Sequence, residues 1–379
     1  MANVSIVRLG DVATYINGYA FKPSDWSDTG LPIIRIQNLT GNDYETNYYS
    51  GNYDKKYEIV NGDILISWSA SLGVYEWKKG TALLNQHIFK VCFDKLDVDK
   101  SYFVHTVSYL LDDMVKETHG STMKHITKPR FDNTPFPYPD LSTQRKIASN
   151  LDKVTHTIDL CNAILEKLNL LIKSRFVEMF GDIICNTKQW DIHIFSDITT
   201  SRLGKMLDAK KQTGENAFPY LANFNVQWFR FELNNLHTMD FDAKDQAEFS
   251  LEEDDLLVCE GGEIGRCAIW HNEVSPCYFQ KALHRVRCNK EIIMPTYLAW
   301  WFRFNCDNNG FSEIEGAKAT IAHLPGAKLK KLPVVVPPLP LQEQFAAFVE
   351  QTDKSKSAVK QVLEKAETLK KALMQEYFG

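Results

Sequence analysis

The feature that most restricts how this chain can fold is that it contains much of itself twice. Shifted by 198 residues, Gln144 aligns with Gln342, and the register runs without a gap from Thr122/Thr320 to Gly181/Gly379. Identical pairs include His125/His323, Pro139/Pro337, Leu141/Leu339 and Ala148/Ala346, and then the run Leu165-Glu166-Lys167 against Leu363-Glu364-Lys365. A repeat of this length implies one structural plan used twice. Upstream the likeness is weaker and gapped, yet its features keep their order. "VRLGDVATY" near the start answers "HIFSDITTS" from 193, and "LPIIRIQNLT" from 31 answers "FPYLANFNVQ" from 218. "NGDILISWSASLGVYEW" from 61 answers "EDDLLVCEGGEIGRCAIW" from 253, and "LNQHIFKV" from 84 answers "FQKALHRV" from 279. The chain reads as globule, helix, globule, helix, over 1–140, 141–185, 186–338 and 339–379.

Both predicted helices begin after prolines, in "FPYPDLSTQRKIASNL" and "VVVPPLPLQEQFAAFV". Pro337, Pro338 and Pro340 impose extended backbone, because proline fixes φ and restricts the residue before it. Beyond them nothing interrupts a helix. In the first copy Ile147, Leu151, Val154, Ile158, Cys161, Leu165, Leu168 and Ile172 alternate by four and three, the spacing of a heptad seam. In the second, Val359, Val362, Ala366, Leu369 and Leu373 are expected to continue that rhythm. Each helix is long enough to span roughly 55–60 Å. A lone helix of that length needs a partner for its apolar stripe. The economical partner is the other copy, antiparallel about a pseudo-two-fold axis.

The globules are built from short apolar runs rich in β-branched and aromatic residues, with Gly73 and Gly261, Gly262 and Gly265 at the turns. "SYFVHTVSYLLDDMVKE" and "MPTYLAWWFRFN" add helical periodicity. The expected fold class is therefore α+β: two mixed α/β globules joined by two long, antiparallel coiled-coil helices. "GGEIG" lacks the strand–helix context and the Lys-Ser/Thr of a phosphate loop, and reads as a hairpin turn.

The chain carries no recognisable catalytic constellation: no phosphate loop, no H-E-x-x-H, no G-x-S-x-G. "DNTPF" at 132 resembles an amino-methyltransferase motif in composition only, and Glu252 to Asp255 read as a solvated turn. Cys259, Cys267, Cys277 and Cys288 cluster at spacings that fit no common zinc finger, so reduced thiols in a strand-rich domain are expected. His125 and His323 recur across the repeat near Thr122 and Thr320, and read either as functional residues or as loop histidines that fix the entry into the long helix. The 379 residues, 44% hydrophobic and 24% charged, describe an ordinary globular protein. Without a bilayer-length apolar run or a signal peptide, a cytoplasmic location is expected. A net charge of −5 favours no nucleic-acid partner by itself, although what matters is the local field at a contacting face.

Two divergent globules alternating with two similar helices, each helix introduced by P-x-L-x-x-Q-x-x-(I/F)-A, resemble the specificity subunit of a type I restriction–modification enzyme. "PPLPLQEQFAAFV" and "PDLSTQRKIASNLDKV" match the openings of the family's conserved regions. "LNQHIFKV" and "GSTMKHITKPRFDNTPFPYP" are similar to signatures of its target-recognition domains. The resemblance covers essentially the whole chain. It departs from the family at "FQKALHRV", where the Asn-Gln-His of the first copy is lost, so a role for Gln86 and His87 need not transfer to Lys281 and Ala282.

The resemblance implies a non-catalytic reader of double-stranded DNA, each globule reading one half of a split, asymmetric site. The helices would set the half-site separation and dock two methyltransferase subunits, with motor–nuclease subunits joining through the complex. S-adenosylmethionine, ATP and Mg2+ would belong to those partners, and no membrane is involved. The alternative is a coiled-coil scaffold that binds proteins only. DNA contacts would draw on cations for phosphates and on Arg, Lys, Asn and Gln for base edges. In the first globule the candidates are Arg35, Gln37, Asn38, Gln86 and His87, with Lys55, Lys56, Lys124, Lys128 and Arg130. In the second they are Asn223, Asn225, Gln227, Arg266 and Lys281, with Lys205, Lys210, Lys211, Arg285, Arg287, Lys318 and Lys328.

Overall fold

A computed structural model of the chain describes residues 4–41, 46–117, 126–208, 212–311 and 323–379. It divides into two compact units, Met1–Ala163 with Val359–Gly379, and Ile164–Ala358. The long helices run over Leu141–Phe180 and Leu339–Phe378, so each unit takes one globule and part of both helices. The fold is mixed helix and strand, as the sequence implies.

In the first unit, β1 (Ser5–Arg8) and β10 (Pro135–Tyr138) pair antiparallel. Between them lie two sheets. One has β2 (Thr14–Asn17), β9 (Ile88–Cys92), β6 (Ile64–Ser67) and β7 (Gly73–Glu76) side by side, all antiparallel. The other has the order β4 (Asn47–Tyr49), β3 (Leu31–Ile34), β8 (Ala82–Leu84), β5 (Glu58–Ile59), in which β3 and β8 run parallel. The second unit repeats this plan. β11 (Asp191–Ile194) pairs with β21 (Pro333–Val336). A sheet of β12 (Thr199–Leu203), β20 (Leu283–Cys288), β17 (Leu256–Cys259) and β18 (Cys267–Ile269) matches the first. β16 (His237–Asp240), β13 (Ala217–Leu221) and β19 (Tyr278–Phe279) form the other, with β13 parallel to β19. The repeat visible in the helices therefore extends through the globules, where sequence likeness had faded.

Each globule carries a longer helix of its own, Lys100–Glu117 or Pro295–Asp307, packed into the core beside the long helices. Tyr102 donates to the Pro137 carbonyl (2.8 Å) and Tyr297 to that of Val335 (2.7 Å), tying this helix to the globule's last strand in both copies. In the first unit the start of one long helix meets the end of the other, Asn150 donating to the Tyr377 hydroxyl (3.2 Å). In the second, Phe176 and Phe180 pack edge-on against Phe345, each at 5.4 Å between ring centroids.

The repeated glutamine has a definite job. Gln144 and Gln342 are fully buried in the first turn of their helices. The Oε1 of Gln144 accepts the Asp99 amide (2.9 Å), and its Nε2 donates to the Pro139 carbonyl (2.8 Å). Gln342 accepts the Met294 amide (2.9 Å) and donates to the carbonyls of Pro337 (2.7 Å) and Ile292 (3.0 Å). One side chain thus joins the exit of the globule's last strand to the entry of the globule's own helix. The helix starts themselves differ. Asp140 caps the first through the Thr143 amide (3.0 Å), a bond that holds its carboxyl down to about 2. The second begins at Leu339 with Pro340 in its first turn, where a missing N–H leaves nothing unsatisfied.

All eight seam residues of the first helix are buried or half-buried. The second seam needs correction. Val362 and Leu369 are each 49% exposed, whereas Val359, Leu363, Ala366 and Leu373 face inward. Leu363 is the residue that the 198-residue register places opposite Leu165, so the repeat locates the seam better than the local alternation of apolar residues.

Candidate nucleic-acid interface

In the first unit, the C-terminal ends of the parallel strands β3 and β8 bring several candidates together. Arg35 follows β3, and the Asn85 amide just after β8 donates to the Ile34 carbonyl (3.1 Å). The Gln86 amide donates to the Tyr19 carbonyl (2.9 Å), and the Trp68 amide to that of His87 (3.2 Å). The close crossing demands glycine: a Cβ on Gly18 would lie 2.0 Å from the Asn85 carbonyl oxygen. Arg35 lays its guanidinium over Trp26 at 4.5 Å, and Gln37 is half-buried in the short helix Ile36–Leu39. His87 is half-buried with φ of 73° and packs edge-on to Trp68 at 5.0 Å. Gln86 is exposed.

The second unit assembles its counterpart from different residues. The Gln280 amide donates to the Leu221 carbonyl (2.9 Å), and the Lys281 amide to that of Lys205 (2.8 Å). Gly204 repeats the close crossing, its Cβ position lying 2.3 Å from the Gln280 carbonyl oxygen. Arg266 donates to the Asn223 Oδ1 (2.5 Å), and Asn223 to the Gly261 carbonyl (2.8 Å). Gln227 donates to the Phe224 carbonyl (2.9 Å) beside them. His323 is exposed and bridges to Gly261.

Other candidates are occupied within the fold. Asn38 and Asn225 are buried at equivalent positions. Asn38 accepts the Arg35 amide (2.9 Å), and Asn225 the Ala222 amide (2.9 Å), which caps the turn that follows each strand. Asn225 also donates to the Glu232 carbonyl (2.8 Å). Lys205 is half-buried against Asp245 (2.5 Å). Arg285 reaches the Ser250 carbonyl (2.6 Å), and burial together with neighbouring Arg287 lowers its pKa. Arg287 grips the buried Asp255 (2.6 Å) and Glu252 (2.9 Å), and the bond to Asp255 raises its pKa.

Lys128 pairs with Asp132 (2.9 Å), beside Arg130 in the short helix Lys128–Asp132; Lys328 holds the place of Arg130 in Gly326–Leu329. Lys56 pairs with Asp54 (2.8 Å), next to exposed Lys55. Lys124, Lys210, Lys211, Lys318 and His125 lie outside the described residues.

Burial pushes the thiol of Cys259 up to about 11 and those of Cys277 and Cys288 up to about 12, so as free thiols they stay protonated near neutral pH. Residues that sequence reasoning missed are the framing ones: Gly18, Gly204, Tyr19, Trp26 and Trp68. The two glycines fall at matching places after "ATYIN" and "TTSRL", a signal the gapped alignment could have yielded.

The family model described as the type I restriction modification DNA specificity domain matches residues 1–170 and 189–368. The chain is 24% identical over 323 residues to the type I restriction enzyme EcoBI specificity subunit of Escherichia coli, covering 78% of this chain and 68% of that protein. It is 24% identical over 355 residues to the putative type I restriction enzyme specificity subunit S.HindORF215P of Haemophilus influenzae, covering 90% and 86%. Among solved structures, the S subunit of a type I restriction–modification system from M. genitalium superimposes with a TM-score of 0.61 at 14% identity, covering 100% of this chain and 97% of that one.

Proposed function

Because this chain belongs to the type I restriction modification DNA specificity family, we propose that its two globules each read one half of a bipartite, asymmetric DNA site, through the loops at the ends of β3/β8 and β13/β19. The chain is the non-catalytic, recognising component. The observation that carries the reading is the pair of equivalent loop sites: one backbone plan presents different exposed side chains, as two readers of different sequences require. Within each site Arg35, Gln37, Gln86 and His87, or Asn223, Gln227, Arg266 and Lys281, are best placed to meet DNA. Lys55, Lys128, Arg130 and Lys328 are suited to phosphates. Asn38, Asn225, Arg285 and Arg287 act inside the fold.

On this reading the segments 1–140 and 186–338 are the recognition domains. The helical segments 141–185 and 339–379 set the half-site separation and dock two methyltransferase subunits. S-adenosylmethionine, and the ATP and Mg2+ of a motor–nuclease subunit, bind those partners. The test is to map methylated bases in cells that express the methyltransferase partner with and without this chain. A split motif that depends on the chain is expected. Unchanged methylation, with the partner's expression verified, favours a scaffold that binds only proteins.

A further inference from the structure

We propose that Gln86 and Lys281 are equivalent base-reading positions, Gln86 reading an adenine and Lys281 a guanine from the major groove. This rests on the reading of the globules as DNA readers. The sequence had pointed the other way, since "LNQHIF" and "FQKALH" share no residue at this place. The backbone makes them the same place. Each follows the last parallel strand of its sheet by two positions and donates its amide to the carbonyl of the residue after a crossing glycine: Tyr19 after Gly18, Lys205 after Gly204. Each precedes a residue in left-handed conformation, His87 at φ 73° and Ala282 at φ 84°. The next bonds match too. The Trp68 amide binds the His87 carbonyl, as the Glu260 amide binds that of Ala282 (2.9 Å).

Non-glycine residues rarely adopt this conformation, and two copies that retain it with different side chains indicate that the backbone shape itself is required. Both Gln86 and Lys281 are exposed, and among the described residues neither side chain has a hydrogen bond or ion pair. Some polar groups nearby are engaged within the fold, as with Arg266 on Asn223 and Lys205 on Asp245. A backbone of the same shape carrying an exposed, unengaged side chain is an arrangement that base reading can use. A glutamine amide offers a donor and an acceptor, the complement of adenine N6 and N7. A lysine offers donors only, the complement of guanine O6 and N7.

The test uses the full chain with its methyltransferase partner, in cells, comparing the methylated motif of the parent with those of Lys281→Gln and Gln86→Lys. Lys281→Gln should change one G·C position of the second globule's half-site to A·T and leave the other half-site intact. Gln86→Lys should do the reverse in the first. Preference between the two bases should shift roughly ten- to a hundredfold. Retention of the parent motif by both variants overturns the proposal. If a variant loses all modification, the complex is assayed on duplexes with each base pair of the affected half-site replaced in turn. Recovery on one replacement supports the proposal, and recovery on none overturns it. Failure of the underlying reading would look different, because the parent chain would then produce no split motif.

Discussion

On the inner strand of the first unit's antiparallel sheet, Lys90 reaches both the Glu58 carbonyl (2.8 Å) and the Asp63 carboxylate (2.9 Å). At the matching position of the second unit, Arg285 keeps the carbonyl contact, now with Ser250, and Arg287 takes over the aspartate, now Asp255. Asp63 and Asp255 each accept an amide three residues upstream, from Val60 and Glu252, both at 2.8 Å. The cation's identity and even its strand position have changed, while the groups that need satisfying have not. At the exposed loops the opposite holds: Gln86 and Lys281 share a backbone setting and, among the described residues, their side chains have no internal partner to preserve. Buried polar groups constrain their partners because leaving them unpaired is costly. An exposed side chain escapes that constraint and is free to differ between the two copies.

The sharpest way to break this comparison is to exchange a whole globule. Replacing residues 1–140 with the equivalent segment of another specificity subunit should abolish recognition of one half-site and install a new one, with the other unchanged in the methylated motif. A change in both halves would show that the globules do not read independently.

The glutamine clamps should be equivalent. Gln144→Leu strands the Asp99 amide and one carbonyl, and Gln342→Leu the Met294 amide and two carbonyls, so each should cost about 2–4 kcal/mol in denaturant unfolding. If only one is destabilising, the two helix entries are not the same device. Arg287 marks a real asymmetry. Arg287→Ala leaves the buried Asp255 without its cation and should cost roughly 2–3 kcal/mol, discounted because the arginine is partly exposed. Cys92→Ala, at the matching place in the first unit, should change stability by far less in the same measurement.

The smallest effect concerns acid. His284 is buried and donates to the Leu324 carbonyl (3.0 Å), and burial lowers its pKa below the usual 6.5, with Glu260 and Lys330 as the nearest charges. The unfolded chain therefore takes up this proton first as pH falls. The stability associated with His284 is complete above about pH 6.5 and declines as pH drops below it. Phe89 occupies the matching position in the first unit, so His284→Phe should remove this part of the acid sensitivity. An unchanged pH dependence of thermal unfolding in that variant would assign the sensitivity elsewhere.

Much of this architecture was legible in the residues. Heptad spacing, helix-starting prolines and the repeat register are local or strictly periodic signals, so the two long helices, the alternation of globule and helix, and the α+β class could all be read directly. The register even held the correct second seam through Leu165 and Leu363. The site was legible only in outline. Lys, Arg and Asn look alike in a sequence whether they face solvent or serve a cap, and so Asn225 and Arg287 stood beside Gln86 as equals. What separates them is contact made only in the fold: Asn225 donates to the Glu232 carbonyl and Arg287 pairs with Asp255, whereas the Gln86 side chain is left exposed. The equivalence of Gln86 and Lys281 likewise depends on strand crossings more than sixty residues apart in sequence, which a backbone can preserve after every side chain at the loop has changed. Periodicity along the chain specified the helices, whereas the free or engaged state of each polar side chain was decided by tertiary packing.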